Sequence, residues 1–385
     1  MFSALIITKG MLIIMKKKFN IGVLGLSFGK FFIPVFQNHP DVASVSICDI
    51  DKNLVSEAGK ECGIPVENQY DDWKKMFKDG NLDAVHVVTA MNTHFELSMG
   101  ALEAGLHCAC AVPMANSIDE CRQIVDLVRK NNLTYMLMET TLFTREYLEV
   151  KKKVRSGDFG RIQFLRGTHI QNMGLFDWPE YWQGFPPMLY ASHAVAPLFD
   201  VIEKRPESVV CFGSGKISDE RTSKYGCPFS AQTAIFKMKD SDVICEAIRS
   251  MYELHRQYRE SFDIYGDKLS YEYEHVTGEG AAYFVAEEAE RKFVGNQVDG
   301  LPPSLVPFAS IAQDSDHVDQ ENTSFLQGGG HGGSYPHMVH EFISAILEGR
   351  KSYIDESYSA YITAAGICAH ESSMKNGERV NIPDF

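Results

Sequence analysis

Short apolar runs alternate with amphipathic helical patterns over the first third of the chain. The apolar runs read FNIGVLGL, VSICDI, DAVHVVTA, LHCACAV and TYMLMET. Helical patterns lie between them: one ends at Gly105, and another begins at Ser117, where Ser-x-x-Glu has the form of a capping box. Because short buried strands joined by amphipathic helices favour parallel pairing, this pattern predicts a doubly wound parallel sheet.

After about residue 142 the pattern changes to longer segments with a period of two residues. In KLSYEYE, Leu269, Tyr271 and Tyr273 alternate with polar residues, which predicts a strand with one buried and one wet face. Residues 286–330 are polar and glycine-rich, and helices within 336–376 close the chain. The sequence therefore predicts a second α/β domain with a large open, mostly antiparallel sheet. Its uncovered face predicts a homo-oligomer, whether dimer, tetramer or hexamer.

The first residues, MFSALIITKGMLIIMKKKFN, predict neither a membrane span nor a secretory signal. The apolar stretch is short and interrupted by Lys9, and the basic cluster follows it, whereas a secretory signal carries its positive charges first. Met15 offers a second start, so residues 1–14 are expected to be a disordered upstream extension.

Charge and cysteine content narrow the classes of partner and compartment. The formal charge of −14, without a stripe of Lys and Arg, argues against a nucleic-acid partner. Nine cysteines without a CxxC pair predict reduced thiols and a cytoplasmic location rather than a disulfide framework. No segment is long and apolar enough to predict a membrane partner.

The turn after the first strand of the parallel sheet reads GLSFGK and carries part of a dinucleotide-binding fingerprint. Gly25 suits the tight turn, and Ser27 is small enough for a phosphate to approach. Phe28 and Gly29 complete the turn, the glycine one residue before the third position of the fingerprint. Asp49, at the end of the second strand, can accept both ribose hydroxyls of NAD and would repel the additional phosphate of NADP. The turn alone also fits a plain strand–helix connection, but the combination predicts NAD.

Four segments carry a family resemblance: IGVLGLSFGK, DAVHVVTAMNTHFELSMGALEAGLH, VRSGDFGRI and HMVHEFISAILEGR. They are similar to those of the Gfo/Idh/MocA oxidoreductases, the glucose–fructose oxidoreductase and inositol dehydrogenase family. The resemblance implies an NAD-binding Rossmann domain at 15–141, and a substrate-binding and oligomerisation α/β domain at 142–385. It also implies cofactor contacts from loop residues that follow the strands of the first domain: Thr89, Asn92, His94 and Pro113.

The chain departs from this family at the residue that handles the proton. The family's Glu-Lys-Pro, whose lysine lies near nicotinamide and substrate, is replaced by Ala111, Val112 and Pro113. A secondary alcohol loses its hydroxyl proton as the hydride leaves, and valine cannot accept that proton. The chain therefore resembles a branch of the family that lacks the lysine, and either another group acts as the base or the protein does not catalyse.

The resemblance implies His193 as that base. The family carries a histidine at the head of the helix after its substrate loop, and this position falls on His193, while Leu189 replaces the family's acidic partner. Tyr190, three residues before His193, is expected to be its hydrogen-bond partner or relay. The helix N-terminus is expected to keep the imidazole neutral, as a proton acceptor requires. The alternative is a structural histidine that caps the helix.

Substrate contacts are predicted from two segments. Trp178, Tyr181 and Trp182 offer apolar rings beside carboxylates, which suits the C–H faces and hydroxyls of a pyranose, although such rings also serve to anchor a loop. His331, in a glycine-rich stretch, and His337, in the helix after it, are expected to reach substrate hydroxyls. The histidine spacing here fits no strong zinc pattern, so no metal is predicted.

Together these features predict a cytoplasmic NAD-dependent dehydrogenase that oxidises a secondary hydroxyl of a sugar or glycoside, with the 3-hydroxyl as one candidate. Two alternatives stay open. One is an NAD-dependent glycosidase that acts by transient oxidation and elimination. The other is a non-catalytic sensor of NAD and sugar, which the lost lysine favours and His193 opposes. The expected partner is a small carbohydrate, with neither nucleic acid nor membrane.

Overall fold

A computed structural model describes residues 5–8, 11–14, 18–174, 178–276, 278–286, 288–309 and 331–385. At the N-terminus, strands β1 (Leu5–Thr8) and β2 (Met11–Ile14) form a hairpin where disorder was expected. Among the described strands they pair only with each other. That residues 1–14 are an upstream extension stays a prediction, as do the domain boundaries.

The next six strands form a parallel sheet in the order β5-β4-β3-β6-β7-β8, which confirms the predicted doubly wound Rossmann sheet. The strand order reverses between β3 and β6, and ligands of such sheets bind at the carboxyl ends of the strands beside this reversal. The strands are β3 (Phe19–Leu24), β4 (Val42–Cys48), β5 (Gln69–Tyr70), β6 (Ala84–Val87), β7 (His107–Cys110) and β8 (Tyr135–Leu137).

Six helices join these strands: α1 (Leu26–Gly29), α2 (Ile33–Asn38), α3 (Lys52–Glu61), α4 (Trp73–Asp79), α5 (His94–Glu103) and α6 (Ile118–Asn131). The predicted capping box begins α6. The hydroxyl of Ser117 accepts from the backbone N–H of Glu120 at 3.2 Å, and the Glu120 carboxylate accepts from the backbone N–H of Ser117 at 3.1 Å. Two backbone donors at the helix start are thereby satisfied.

The second sheet has the order β16-β15-β14-β13-β9-β12-β11-β10-β17 within the described residues, and only β9 and β12 pair in parallel. This confirms the predicted large, mostly antiparallel sheet. The strands are β9 (Ile162–Gln171), β10 (Pro206–Ser214), β11 (Ala231–Met238), β12 (Ile244–Ser250), β13 (Tyr258–Gly266), β14 (Ser270–Glu272), β15 (Ala281–Val285), β16 (Glu288–Lys292) and β17 (Val380–Asn381).

Helices cover one face of this sheet and leave apolar residues exposed on the other. In the part of the chain that the structure describes, the helices after β8 are α7 (Arg145–Arg155), α8 (Ser192–Val201), α9 (Asp219–Tyr225), α10 (Ser334–Glu348) and α11 (Glu356–Met374). Phe212, Ile235 and Ile244 are exposed on the uncovered face of β10, β11 and β12. Such a surface is consistent with the predicted oligomer, which stays a prediction.

All nine cysteines are free thiols. Among the helices of the described residues, none combines the length and the apolar character that crossing a bilayer requires.

Helix α8 approaches the covered face of the sheet at a glycine. A Cβ atom on Gly167 would lie 1.9 Å from the carbonyl oxygen of Ala194, so any other residue would push the helix away. Two residues further along β9, strand pairing aligns Arg249 of β12, His169 of β9 and Glu260 of β13 in one row. The close approach at Gly167 thereby brings the start of α8 over this row.

Replacing Gly167 with alanine should destabilise the protein by about 1–3 kcal/mol, because the added methyl group overpacks the contact with α8. The thermal unfolding midpoint measures this change. Gly295 is the matched control, since it is exposed and a Cβ there would meet nothing within 4 Å. The interpretation of the contact fails if G167A and G295A unfold at the same temperature.

Candidate active site

The turn after β3 depends on a glycine. Gly25 has φ +86°, and a Cβ on it would lie 2.4 Å from the carbonyl oxygen of Val88. Ser27 and Phe28 follow in α1, the first exposed and the second half-buried, and Gly29 ends this helix in a buried position. The backbone of the turn is therefore open at the edge of the sheet where dinucleotide phosphates bind in this fold.

Asp49 is held in a position that suits a ribose. Its Oδ2 accepts from the backbone N–H of Leu26 at 2.7 Å, and its Oδ1 accepts from that of Asp51 at 2.9 Å. The side chain remains partly exposed, and each carboxylate oxygen has a further lone pair for a ribose hydroxyl. The glycine turn and this fixed carboxylate together fit NAD.

His94 ties together the loops after β6 and β7. Its Nδ1 lies 2.7 Å from the carbonyl oxygen of Pro113 and its Nε2 lies 3.0 Å from that of Thr89. Burial opposes the charged ring, but Cys110 and the two carbonyl acceptors outweigh burial and raise the pKa of His94 to about 9. Both nitrogens donate to the backbone, so this ring positions the two loops. Asn92 is exposed on the first loop and is open to a ligand.

His193 lies at the centre of a buried cluster of ionisable side chains. Its Nδ1 donates to Oε1 of Glu139 at 2.6 Å, and Oε1 of Glu260 lies 3.4 Å from the same nitrogen. Glu139 follows β8 and accepts from the backbone N–H and the hydroxyl of Thr141, at 3.1 and 2.8 Å. Because Nδ1 is engaged by a carboxylate, Nε2 is the nitrogen left to exchange a proton with a ligand.

The two carboxylates control the charge of His193. Burial favours its neutral ring, but Glu139 and Glu260 outweigh burial and raise the pKa of His193 above its usual value. The expectation that the helix N-terminus keeps this ring neutral is therefore wrong, because two adjacent carboxylates act more strongly than the partial charge of a helix end. Burial also raises the pKa of Glu260, whereas His193 outweighs burial at Glu139 and lowers its pKa.

Several buried polar atoms around His193 have no hydrogen-bond partner among the described residues. These atoms are both ring nitrogens of His169, Oε1 of Glu260, Oε2 of Glu139 and both ring nitrogens of His331. Buried polar groups in folded proteins are normally paired with protein or water. Their concentration at one place points to a polar ligand bound there.

The same cluster has side chains of the kind that bind metals. Ligand-type atoms of His169, His193 and Glu260 all lie within 4.8 Å of one another. However, Nδ1 of His193 already donates to Glu139, and the guanidinium of Arg249, which is fully buried, donates to the carbonyl oxygen of His169 at 3.3 Å. A further cation beside this guanidinium would be repelled. The arrangement therefore suits proton transfer better than metal binding.

His331 connects the cofactor turn with this cluster. Its ring centroid lies 6.0 Å from that of Phe28 and 5.9 Å from that of His193. The side chain is only 9% exposed, and the backbone has φ +43°, a left-handed conformation that residues other than glycine rarely adopt. Such local strain is often found where a side chain meets a ligand, which supports the predicted substrate contact.

Tyr190 contacts His193 through its ring. Their centroids are 5.5 Å apart in an edge-to-face arrangement, and the ring of Trp182 packs on the other side of Tyr190 at 4.8 Å. The hydrogen-bond partner of Nδ1 is Glu139 and not Tyr190, because the carboxylate occupies this nitrogen. A relay role for Tyr190 stays a prediction.

The loop that carries Trp178, Tyr181 and Trp182 has one buried ring and two half-buried rings. Trp182 is 9% exposed and packs with Phe185 and Tyr252, so it anchors the loop. Trp178 and Tyr181 are half-buried, with ring centroids 6.3 and 5.7 Å from that of Trp182. These two rings retain the exposed surface on which a sugar could stack.

A cavity of about 220 Å³ opens beside His193. His193, Glu260 and His331 contribute to its wall, and the lining also includes five charged side chains: Arg145, Glu146, Arg256, Arg259 and Glu274. His337 is absent from the residues lining this cavity, since its Nε2 lies 2.8 Å from the carbonyl oxygen of Gln297. Within the described residues, the predicted substrate contact of His337 is thus not brought to the cluster.

Four residues of the cluster were not predicted from the sequence. Glu139 had a usable signal, because it follows the apolar strand TYMLMET and ligands bind at the carboxyl ends of parallel strands. His169, Arg249 and Glu260 had none, since they meet only through the register of β9, β12 and β13. A single sequence does not fix that register.

Comparison with known proteins supports the identity of the first domain. Residues 19–139 match the Gfo/Idh/MocA family model, described as an oxidoreductase family with an NAD-binding Rossmann fold. A glycosyl hydrolase family 109 protein of Porphyromonas gingivalis is 27% identical over 200 residues, which cover 48% of this chain and 42% of the relative. A levoglucosan dehydrogenase of Pseudarthrobacter phenanthrenivorans is 30% identical over 126 residues, which cover 33% of this chain and 32% of the relative. These matches span less than half the length of either relative.

The fold is shared over almost the whole chain. A levoglucosan dehydrogenase solved in complex with NADH and levoglucosan has a TM-score of 0.75 and 18% identity, and the match covers 96% of this chain and 100% of that chain. This likeness confirms the two-domain α/β architecture.

The glycine turn gives a direct test of the cofactor site. Replacing Gly25 with alanine should weaken NAD binding by roughly tenfold or more, because the added methyl group would displace the turn that receives the phosphates. Isothermal titration with NAD measures the change. Gly105 has a similar φ of +79° with open space around it, so G105A controls for backbone strain. Equal affinities in G25A and G105A would contradict the assignment.

Proposed function

We propose that this chain, whose residues 19–139 belong to the Gfo/Idh/MocA oxidoreductases, is an NAD-dependent dehydrogenase that oxidises a secondary hydroxyl of a sugar or glycoside. His193 is the general base, and the 3-hydroxyl of a glucose-like ring is the candidate position. The observation that carries the proposal is the buried Glu139–His193 pair, whose imidazole contacts His331, which in turn contacts Phe28 of the cofactor turn.

The proposed mechanism assigns the proton to His193. Bound NAD would supply the hydride acceptor. Nε2 of His193 takes the hydroxyl proton as the C–H hydride leaves, so the carbinol becomes a ketone without forming a free alkoxide. Glu139 accepts from Nδ1, which leaves the lone pair on Nε2 and stabilises the imidazolium that forms, as the carboxylate does in a Ser-His-Asp triad. The imidazole thereby does what the family's lysine would do.

The remaining contacts support a sugar as the substrate. Trp178 and Tyr181 present half-buried rings, which suit the C–H face of a pyranose. Both ring nitrogens of His331 lack a hydrogen-bond partner within the described part of the chain, and a neutral ring could donate to a hydroxyl from one nitrogen and accept from it at the other. A ligand that reaches from His331 to His193 in the cavity would satisfy buried polar atoms that lack partners among the described residues, whereas Trp178 and Tyr181 are not among the residues that line this cavity.

Replacing His193 with asparagine should lower kcat for sugar oxidation by about 10²–10⁴-fold while NAD binding is retained, because asparagine accepts no proton. The absorbance of NADH measures turnover on a panel of monosaccharides, inositols and glycosides. The exposed His255 provides the control variant H255N. Turnover in H193N at the level of H255N would remove His193 from the mechanism.

The pH dependence of oxidation gives a second test. A base must be neutral to accept a proton, and the pKa of His193 is raised, so the rate should rise with pH through a pKa above the usual value near 6.5. The groups facing this ring are Glu139, Glu260, Arg249, His169 and His331. In E139Q, one of the two carboxylates that raise this pKa is lost, so the acid limb should move to lower pH.

The experiment compares the kcat profile of the wild type with those of E139Q and the exposed variant E203Q. An acid limb that moves to lower pH in E139Q but not in E203Q supports the proposed Glu139–His193 pair. An acid limb that stays in place in E139Q would show that Glu139 does not set the pKa of the base.

A second candidate function is an NAD-dependent glycosidase, and Glu260 favours it. Its carboxyl lies 3.4 Å from His193, lines the cavity, and has a pKa raised by burial, as a proton donor to a leaving group requires. A ketone at C3 acidifies the neighbouring C–H, so loss of that proton could expel the group at C1. Incubation with an aryl glycoside and NAD separates the candidates. The dehydrogenase accumulates NADH, whereas the glycosidase releases the aglycone without net NADH.

A further inference from the structure

Two arginines in the wall of the cavity have no carboxylate partner among the described residues. Arg256 donates from Nη2 to the carbonyl oxygen of His275 at 2.7 Å. Arg259 donates from Nε to the hydroxyl of Ser261 at 2.8 Å and from Nη1 to the carbonyl oxygen of Glu274 at 3.2 Å. Each guanidinium carries five N–H donors, so most donors of both groups remain available.

Three carboxylates of this region, those of Glu274, Asp263 and Glu260, each use one oxygen to accept hydrogen bonds from groups other than the two arginines. Glu274 accepts from the backbone N–H groups of Gly278 and Gly280, at 3.1 and 3.2 Å. Oδ1 of Asp263 accepts from the backbone N–H of Tyr273 at 3.0 Å. Oε2 of Glu260 accepts from the hydroxyl of Tyr258 at 2.7 Å. Among the described residues, neither guanidinium group therefore forms a direct ion pair with a carboxylate.

The two arginines also destabilise each other. Arg259 is partly buried, and burial together with the nearby charge of Arg256 lowers the pKa of Arg259, outweighing the opposite effect of Asp263 and Glu274. A protein whose net charge is −14 holds two like positive charges here, in the cavity that also contains His193. A bound anion would relieve this repulsion and satisfy the free donors.

We propose that Arg256 and Arg259 bind a carboxylate of the substrate, so that the sugar oxidised at His193 is an acidic one. This inference rests on the function proposed above and adds the substrate class. Guanidinium groups bind carboxylates with two parallel hydrogen bonds, which fixes the orientation of the ligand as well as its charge. The carboxylate would hold one end of the substrate in the cavity while a ring hydroxyl meets Nε2 of His193.

The test compares carboxylated with neutral substrates in the wild type and in R256Q, R259Q and R291Q. Arg291 is an exposed control that pairs with Glu279 at 2.9 Å on the edge strand β16. Comparing methyl glucuronide with methyl glucoside tests a carboxylate on the sugar ring. Comparing 4-carboxyphenyl glucoside with phenyl glucoside tests a carboxylate on the aglycone. The pair that the wild type prefers identifies where the carboxylate lies.

In the wild type, kcat/KM for one carboxylated member should exceed that of its neutral counterpart by about tenfold to a hundredfold, as expected for charge-assisted hydrogen bonds. R256Q and R259Q should each remove most of this preference while changing the neutral substrate less than about threefold, and R291Q should change neither. R259K, which keeps the charge without the planar fork, should recover part of the preference. Equal kcat/KM for neutral and carboxylated substrates, or equal losses on both in R259Q, would overturn the inference.

Binding separates this inference from the proposed function. Isothermal titration of methyl glucuronide and 4-carboxyphenyl glucoside into the NAD-loaded protein is measured in the wild type and R259Q. Binding of either that R259Q weakens, without turnover of any sugar, would support the anion site and contradict the dehydrogenase. Turnover without preference for a carboxylate would support the dehydrogenase and contradict the anion site.

Discussion

The hydrogen bond between Glu139 and Nδ1 of His193 is the interaction on which the rest of the site depends. It joins the end of the last strand of the parallel sheet to the first turn of a helix on the second sheet, and both side chains are buried. A carboxylate that is 0% exposed cannot lose its partner without a large desolvation cost, so the pair holds the two domains in register. The close approach of α8 at Gly167 makes this contact possible.

The pair also explains how the chain can lack a lysine after β7. Val112 stands where the family carries an ammonium group, and the positive charge is distributed among other groups instead. His94 is held protonated between two loops, and Arg249 is buried beneath His169. Neither His94 nor Arg249 is available as the base, because their N–H groups donate to backbone carbonyl oxygens. His193 lies between two carboxylates, which raise its pKa above the usual histidine value, and its Nε2 is the nitrogen left to exchange a proton with a ligand.

The sequence predicted the two sheets, the glycine turn and Asp49 because these features are local. A period of two residues, a capping box at Ser117 and a glycine at φ +86° each depend on neighbouring residues only. The buried cluster around His193, which we propose to be catalytic, was predicted in part. His193 was found through its family position, whereas the row of Arg249, His169 and Glu260 arises from strand register between distant segments. The direction of the pKa shift of His193 was mispredicted for the same reason, since its carboxylate partners lie far away in the sequence.

Through its hydrogen bond to Nδ1, Glu139 fixes the tautomer of His193 and helps to raise its pKa. Nitrogen NMR of histidine-labelled protein, titrated with pH in wild type and H193N to assign the ring, tests it most directly. We expect the neutral His193 ring to be protonated at Nδ1 with a lone pair at Nε2, and its pKa to lie above the usual histidine value. A neutral form protonated at Nε2, or a pKa below that usual value, would contradict it.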